Sequence, residues 1–177
     1  MDLTSRARAV KLVVLDVDGV LTDGSIWVGE EGEAIKHFNT RDGLGIKMLQ
    51  AAGIPVAILT GRNSKQTAAR CAELGIEAVS QGKVFKGKAF ADLVKAHGLA
   101  HEEVAYMGDD VPDIPALKLA GLSAVPADAV EEVKSLADYV SPFNGGYGAV
   151  RSLAELILRA QDKWGALVSA RYERGEI

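Results

Sequence analysis

Short apolar runs alternate along this chain with segments in which apolar residues recur at helical spacing. The strand-like runs lie at residues 12–17, 55–60, 76–79, 104–107 and 123–125. The segments of helical periodicity lie between them, near residues 43–52, 64–74, 87–97 and 114–119. Such alternation is typical of repeated β–α–β units. It predicts a Rossmann-like α/β fold, with a mainly parallel sheet covered by helices on both faces.

One segment interrupts the alternation between the first strand and its helix. Residues 25–38 read SIWVGEEGEAIKHF, two short runs separated by the turn signal Glu30-Glu31-Gly32. This pattern predicts a small β-hairpin insertion at about residues 24–38, at the point where a cap domain could be inserted. Its apolar residues are Ile26, Trp27, Val28, Ile35 and Phe38. Because an isolated hairpin is only marginally stable in water, we expect it to pack against other copies of the chain.

The carboxyl-terminal part of the chain, at about residues 149–177, is predicted to be a helix and a tail. Apolar residues recur along one side of residues 150–172, which predicts one long helix, and the polar residues 173–177 follow it. A length of 177 residues suits one domain. We therefore expect residues 1–177 to form a single domain that carries the hairpin insertion and has no cap domain.

Composition narrows the class of protein. The 20 basic and 24 acidic residues are interspersed and give a formal charge of −4, without the basic bias expected of a nucleic-acid-binding protein. The single cysteine, Cys71, cannot form an internal disulfide and is expected to pack within a helix. The amino terminus lacks the apolar stretch of a signal peptide, and no segment is apolar for long enough to span a bilayer. These features predict a cytoplasmic protein without nucleic-acid or membrane partners.

The candidate chemistry begins where the first strand ends. Asp16 and Asp18 follow that strand one residue apart, and Gly19 can supply the loop that must come next. The carboxyl edge of an open parallel sheet is where ligands bind, and two carboxylates there invite a divalent cation or a reacting phosphate. The alternative for this segment alone is an Asx turn that closes the strand.

Polar groups also mark three later points at the same edge. Thr60-Gly61-Arg62 follows the second strand of the alternation, Lys86 precedes the third helix, and the segment GDDVPD at residues 108–113 follows the fourth strand. Each of these could singly be a turn, a surface lysine or a helix cap. If the first strand lies between the second and the fourth, however, Asp16, Thr60 and Asp109 become neighbours at one edge of the sheet.

Taken in order, DVDGV at residues 16–20, TGR at 60–62, Lys86 and GDDVPD at 108–113 resemble the four motifs of haloacid dehalogenase superfamily phosphatases. Three further features extend the resemblance, namely FNTRDGLGI at residues 38–46, Arg70 eight residues beyond Arg62, and NGGYGAVR at residues 144–151. These are similar to the capless subgroup typified by the 3-deoxy-D-manno-octulosonate 8-phosphate phosphatases.

The resemblance implies four catalytic residues. Asp16 would be the nucleophile that forms an aspartyl phosphate, and Asp18 would protonate the departing alkoxide and then deprotonate the attacking water. Thr60 would hold the phosphoryl oxygens, and Lys86 would neutralise the charge that develops on them.

The resemblance also implies Mg²⁺ as the cofactor. Its ligands would be the carboxylates of Asp16 and Asp109 and the backbone carbonyl of Asp18, with water and a phosphate oxygen completing the octahedron. Asp110 and Asp113 would stand behind these ligands and orient Lys86 or the metal-bound waters.

The implied substrate is a sugar acid phosphate, 3-deoxy-D-manno-octulosonate 8-phosphate, an intermediate of lipopolysaccharide precursor biosynthesis. The implied partner is the chain itself, in a homotetramer whose hairpins assemble centrally and whose subunits partly cover one another's sites. The residues implied to contact substrate are Asp18, Asn39, Thr40, Arg41, Asp42, Gly43, Arg62, Arg70 and Lys86.

Two alternatives to this function stay open at this point. The first is the same chemistry on another 2-keto-3-deoxy sugar acid phosphate, such as a nonulosonate 9-phosphate, because the two substrates differ by few contacts. The second is a non-catalytic oligomerisation module, since similar capless domains occur fused to sugar nucleotidyltransferases. The presence of the complete set of five polar residues, Asp16, Asp18, Thr60, Lys86 and Asp109, favours an enzyme.

Overall fold

The computed structural model describes residues 1–175, apart from the side chains of Arg171 and Tyr172. Its strands are β1 (Leu12–Leu15), β2 (Trp27–Gly29), β3 (Gly32–Ile35), β4 (Val56–Leu59), β5 (Ala78–Ser80), β6 (Val104–Met107), β7 (Leu122–Val125) and β8 (Tyr139–Val140). Its α-helices are α1 (Leu3–Ala9), α2 (Thr40–Ala51), α3 (Lys65–Leu74), α4 (Lys86–Ala96), α5 (Ile114–Leu119), α6 (Glu131–Lys134), α7 (Ala149–Ala160) and α8 (Trp164–Val168).

Six strands form one parallel sheet in the order β5-β4-β1-β6-β7-β8. Every residue of β1, β4, β6 and β7 is buried, because helices cover both faces of a sheet of this kind. The predicted mainly parallel sheet is confirmed. The order places β1 between β4 and β6, so the carboxyl ends of these three strands meet at one edge.

Two separate apolar clusters lie on the two faces of the sheet. One cluster takes its helical residues from α1, α2, α3 and α7, and the other takes them from α4, α5 and α6. The predicted arrangement of helices on both faces is therefore confirmed, and Cys71 is buried in the first cluster as expected. Among the described residues, no helix is both long and apolar enough to cross a bilayer.

The insertion after β1 is an antiparallel pair of strands, β2 and β3, as the sequence predicted. Four of the five apolar residues of this hairpin are exposed, whereas Phe38 packs against the first cluster. Trp27 is 62% exposed and Val28 75% exposed, and Ile26 and Ile35 are exposed as well. The hairpin therefore presents a cluster of large apolar side chains to solvent, which is unusual for a surface flap.

The prediction of one long helix over residues 150–172 is wrong. Helix α7 ends at Ala160, and Asp162 adopts a positive φ of 58° before α8 begins at Trp164. The Trp164 ring folds back beneath the guanidinium groups of Arg151 and Arg159, whose Cζ atoms lie 5.2 and 4.7 Å from its centroid. Apolar spacing continues through such a break, so periodicity alone could not locate it. Of the predicted polar tail, residues 176–177 lie outside the described residues.

Candidate active site

The loop after β1 is folded tightly around its own backbone. Asp16 continues the ladder with β6, since its amide donates to the Met107 carbonyl at 3.0 Å. The amides of residues 20–22 then return to the Val17 carbonyl at 2.9–3.2 Å. Gly19 takes a φ of +80°, and a Cβ added there would lie 2.0 Å from Oδ2 of Asp109. Glycine is required at this position by both its conformation and its contact with the neighbouring strand end.

A cavity of about 290 Å³ opens at this edge of the sheet. Eight of the residues that the sequence singled out line it, namely Asp16, Asp18, Thr60, Arg62, Lys86, Asp109, Asp110 and Asp113. Three different strand ends and the start of α4 supply them. These groups therefore lie together at one edge of the sheet, as expected, because β1 lies between β4 and β6.

Lys86 is the buried cation that lines the cavity. As the first residue of α4 it is buried, and its Nζ donates to Asp16 Oδ2 at 2.6 Å and to Asp113 Oδ1 at 2.5 Å. Burial lowers the pKa of Lys86, but the two carboxylates outweigh that effect and hold the pKa above its ordinary value. Lys86 therefore stays charged and holds the Asp16 carboxylate in a fixed orientation.

Both carboxylate oxygens of Asp113 accept hydrogen bonds from the surrounding protein. Its Oδ1 accepts from Lys86 and from the Tyr106 hydroxyl, and its Oδ2 accepts from the amides of Asp109 and Asp110 at 3.0 and 3.2 Å. Four donors use the lone pairs that a carboxylate offers. Asp113 thus contacts Lys86 directly, and its role in orienting Lys86 stays a prediction. Its bond with Tyr106 was not foreseen, because that buried strand residue reads as ordinary core.

The carboxylates of Asp16 and Asp109 fit a divalent cation. Oxygens of Asp16, Asp109 and Asp113 can all lie within 4.8 Å of one another. Asp16 Oδ1 is the one buried side-chain oxygen or nitrogen without a hydrogen-bond partner in the described part of the chain. An unsatisfied buried carboxylate oxygen beside a second carboxylate is the donor set that Mg²⁺ prefers. Since Asp113 is saturated, Asp16 and Asp109 are the side chains that can hold the ion.

The carboxyl groups in this cluster resist ionisation. Burial raises the pKa of Asp16 to about 6 against the opposing effect of Lys86. Burial also raises the pKa of Asp109 to about 8, and the negative charges of Asp16 and Asp113 contribute to that increase. Both pKa shifts arise because negative charge is unfavourable where water is excluded. A bound cation would stabilise that charge and lower both pKa values.

The metal-free protein should therefore lose stability as the pH rises. The folded-state pKa of Asp109, about 8, exceeds its ordinary value of 3.8, so the folded state binds more protons between those values. The free energy of unfolding then falls from about pH 4 to about pH 8. Mg²⁺ should raise the melting temperature more at pH 8 than at pH 5, because protons compete with the ion. Thermal melts with Mg²⁺ and with EDTA at both pH values test this, and an equal Mg²⁺ effect at both would contradict it.

Two other predicted residues occupy distinct positions at the cavity. Thr60 ends β4 and is almost fully buried, with its amide bonded to the Ser80 carbonyl at 2.9 Å. The Asp110 carboxylate accepts from the Val111 amide at 2.7 Å and caps the short turn that follows. The Asp110 carboxylate is thus engaged with the backbone amide of the next residue, and Asp113 is the one of the two that contacts Lys86.

The other residues expected to contact substrate lie outside the lining of this cavity in the described structure. Asn39 caps α2 and donates to the Gly146 carbonyl at 3.0 Å. The buried Asp42 carboxylate accepts from the amides of Gly148 and Arg151 at 3.1 and 2.9 Å, and so joins α2 to α7. Burial raises the pKa of Asp42. The structure thus gives both side chains a part in holding the 144–151 loop.

That loop packs directly on the loop after β1. The Gly146 amide donates to the Val20 carbonyl at 3.0 Å, and a Cβ added to Gly145 would lie 1.8 Å from the Gly19 carbonyl oxygen. The segments FNTRDGLGI and NGGYGAVR therefore support each other and the Asp16–Asp18 loop. This contact places two motifs that are far apart in sequence beside the first one.

The remaining predicted contacts lie on the helices beside the cavity. Arg70 pairs with Glu73 at 2.8 Å, stacks over the Phe38 ring and touches Gly43, where a Cβ would lie 2.3 Å from its Nη2. Thr40 is the first residue of α2, and Arg41 lines a separate cavity of about 570 Å³ beside α7. The small size of Gly43 is what admits the Arg70 guanidinium.

The hairpin supplies two charged residues that sequence reasoning missed. Lys36 forms an ion pair with Asp18, and Glu33 lies 3.3 Å from both Lys36 Nζ and Arg62 Nη2. Lys36 directly follows β3, so its contact with Asp18 arises only when the hairpin folds back over the edge of the sheet. The single hint was the pair of opposite charges, Glu33 and Lys36, three residues apart in the hairpin.

Comparison with known proteins agrees with this geometry. A family model described as haloacid dehalogenase-like hydrolase matches residues 39–121. The 3-deoxy-D-manno-octulosonate 8-phosphate phosphatase of Escherichia coli K12 is 47% identical over 162 residues, which are 92% of this chain and 86% of the relative. The Haemophilus influenzae protein of the same name is 49% identical over 161 residues, which are 91% and 89% of the two chains.

Solved structures give the same result. The 3-deoxy-D-manno-octulosonate 8-phosphate phosphatase of Moraxella catarrhalis, in complex with magnesium ion, phosphate ion and KDO, has a TM-score of 0.92 and 40% identity, covering 94% of this chain and 96% of that one. The cobalt-bound Haemophilus influenzae enzyme has a TM-score of 0.89 and 45% identity, with 95% coverage of each chain. This chain therefore belongs to the 3-deoxy-D-manno-octulosonate 8-phosphate phosphatase family of the haloacid dehalogenase-like hydrolases.

Proposed function

We propose that this protein is a Mg²⁺-dependent phosphatase that hydrolyses 3-deoxy-D-manno-octulosonate 8-phosphate to the free sugar acid and phosphate, in lipopolysaccharide precursor biosynthesis. One observation carries the proposal. A buried aspartate, Asp16, has one oxygen held by Lys86 and the other without a partner among the described residues, beside a second carboxylate, Asp109. This is the arrangement that phosphoryl transfer to a carboxylate needs, and the family relatives carry the name of that activity.

The first step transfers the phosphoryl group to Asp16. A carboxylate oxygen of Asp16 forms a bond to phosphorus as the bond between phosphorus and the sugar oxygen breaks. Asp18, at the mouth of the same cavity, donates its proton to the departing sugar oxygen. Lys86 stays bonded to the Asp16 carboxylate and neutralises charge that gathers on the phosphoryl oxygens.

The second step regenerates the enzyme. Asp18 removes a proton from a water molecule as that water attacks the phosphorus, and the bond from phosphorus to Asp16 breaks to release phosphate. The carboxylates of Asp16 and Asp109 and the Asp18 carbonyl would hold Mg²⁺, which would shield the repulsion between phosphate and nucleophile. Thr60 and the amides that follow it, at the end of β4, hold the remaining phosphoryl oxygens.

The choice of sugar is the finer part of the proposal. Arg62, which is 46% exposed, lines the mouth of the cavity and would bind the sugar carboxylate. Side-by-side measurement of kcat/KM on 3-deoxy-D-manno-octulosonate 8-phosphate and on a nonulosonate 9-phosphate tests it. We expect the octulosonate to be preferred by about 10-fold or more. The reverse preference would assign the chain to the longer sugar acid.

We further propose that the chain forms a homotetramer through its hairpin, at residues 25–38. The exposed side chains of Ile26, Trp27, Val28 and Ile35 support this, because burying them against copies of themselves removes apolar surface from water. We also propose a cytoplasmic location, since a sugar acid phosphate carries several negative charges and cannot cross a bilayer unaided.

Substitution of Trp27 by glutamate should dissociate this assembly. A charge placed at a surface that becomes buried costs more free energy than the contact returns. Size-exclusion chromatography with light scattering should show a smaller species for this variant than for the wild type. Leu136→Glu is the matched control, because Leu136 is also exposed but lies after α6, away from the hairpin. An unchanged tetramer in Trp27→Glu would show that the hairpin does not form the interface.

A further inference from the structure

Lys36 is an unusual lysine. Its side chain is only 1% exposed, although lysine is among the residues least often buried. Its Nζ makes an ion pair with Asp18 Oδ1 and lies 3.3 Å from Glu33 Oε2. A buried cation is retained only where its partners are fixed, and one of these partners is the proposed acid and base of the reaction.

Lys36 belongs to a closed ring of four charges. Asp18 Oδ1 meets Lys36, Asp18 Oδ2 lies 3.7 Å from Arg62 Nε, and Glu33 Oε2 lies 3.3 Å from both cations. The two cations of the ring differ in how freely their side chains can move. Arg62 is 46% exposed and its contact with Asp18 is long, so it can turn towards a substrate, whereas Lys36 is enclosed.

Glu33 anchors this ring to the body of the protein. Its carboxylate also accepts from the Ser64 hydroxyl at the start of α3, and the carbonyls of Glu33 and Ala34 accept from Gln66 Nε2 at 2.9 and 3.2 Å. The polar side of the hairpin is therefore fastened to α3 by several hydrogen bonds. Its position sets the position of Lys36, and through Lys36 that of the Asp18 carboxylate.

We propose that Lys36 is a positioning residue, which holds the Asp18 carboxylate in the orientation needed to pass a proton to the leaving oxygen. This inference rests on the proposed function and adds a hairpin residue to the machinery of the sheet edge. A general acid must stay within hydrogen-bond reach of the atom it protonates, and an aspartate at a cavity mouth has other rotamers available. The ion pair with Lys36 removes that freedom while Asp18 is ionised, before substrate arrives. Asp18 takes up the proton that it later donates when the negatively charged phosphate binds beside it.

The test compares two esters of similar shape whose leaving groups differ in their need for a proton. Phenyl phosphate releases a more basic oxygen than 4-nitrophenyl phosphate, and kcat/KM reports the step in which that oxygen departs. We expect Lys36→Met to lower kcat/KM by about 100-fold on phenyl phosphate and on the sugar phosphate. On 4-nitrophenyl phosphate the loss should be several times smaller. Lys36→Arg should recover part of the loss, because it keeps a cation beside Asp18.

Two controls separate positioning from other roles. Lys88→Met makes the same chemical change at an exposed lysine of α4 and should leave all three substrates unaffected. Glu33→Gln keeps Lys36 but loosens its second partner, and it should shift the ratio of the two aryl esters in the same direction by a smaller factor. Glu33→Gln also serves as the test if Lys36→Met does not fold.

Four outcomes would overturn the inference. Equal losses on the two aryl esters would make Lys36 merely structural. A raised KM for the sugar phosphate with an unchanged aryl ratio would make it a substrate contact. A crystal structure of Lys36→Met with Asp18 in the wild-type orientation would contradict positioning whatever the rates. Wild-type protein inactive on all three esters would contradict the proposed function first, and the inference with it.

Discussion

Asp16→Asn is expected to lower the rate of phosphate release by about 10⁴-fold or more, because the amide cannot form the aspartyl phosphate. The fold should survive the change. Asparagine has nearly the same shape as aspartate, and Lys86 keeps its bond to Asp113. Removing one charge from the acidic cluster also relieves Asp109, whose pKa is raised in part by Asp16. We therefore expect the melting temperature without Mg²⁺ to be equal to or above that of the wild type.

Asp110→Asn is the matched control for this variant. Asp110 lines the same cavity, but it is exposed and its carboxylate only caps the following turn. The same chemical change there should leave kcat within about a factor of three. Phosphate release and thermal melting are measured on both variants and the wild type. Appreciable turnover by folded Asp16→Asn would refute the nucleophile and revive the possibility that another group reacts.

Lys86→Met is expected to affect both stability and activity. The variant leaves Asp16, Asp109 and Asp113 together without their buried cation. Because breaking a buried ion pair strands an uncompensated charge, the free energy of unfolding should fall by about 3–5 kcal/mol at pH 8 without Mg²⁺. The rate should fall by about 10²- to 10³-fold, since a donor to the developing phosphoryl charge is lost.

The pH and Mg²⁺ dependence of this variant identifies the cause. Lys86 lowers the pKa of Asp16, so its removal lets the folded state bind protons more tightly. The loss of stability should therefore be smaller at pH 5 than at pH 8, and Mg²⁺ should recover part of it. Lys88→Met, on the exposed part of the same helix, should show neither effect. Equal destabilisation of Lys86→Met at both pH values would point to lost packing instead of unpaired charge.

The sheet and its edge could be predicted because they depend on local and regular features. Buried strands of four residues, such as 104–107, are visible as apolar runs, and Ser64 and Gly75 mark the two ends of α3 as its N-cap and left-handed C-cap. Once the strands are placed, parallel topology brings their carboxyl ends together. The order of the motifs along the chain therefore already predicts that Asp16, Lys86 and Asp109 meet at this edge.

The features that were missed depend on contacts distant in sequence or on very short elements. The two residues of β8 are too few to give a pattern, and the break at Asp162 depends on Trp164 packing back on α7. The contact of Lys36 with Asp18 spans 18 residues. It depends on where the hairpin packs, which the alternation of apolar and polar residues within the hairpin does not predict. Asp42 was grouped with substrate contacts by its motif, whereas the fold engages its carboxylate with the 144–151 loop.

Trapping of the phosphorylated residue tests the central claim most directly. The enzyme is mixed with 3-deoxy-D-manno-octulosonate 8-phosphate and Mg²⁺, quenched in acid within the first turnover and treated with borohydride, which reduces an aspartyl phosphate to homoserine. Peptide mass spectrometry then locates the change. The predicted result is homoserine at position 16, aspartate retained at position 18, and no conversion in Asp16→Asn. Conversion at Asp18, or rapid phosphate release with no conversion at position 16, would contradict the account.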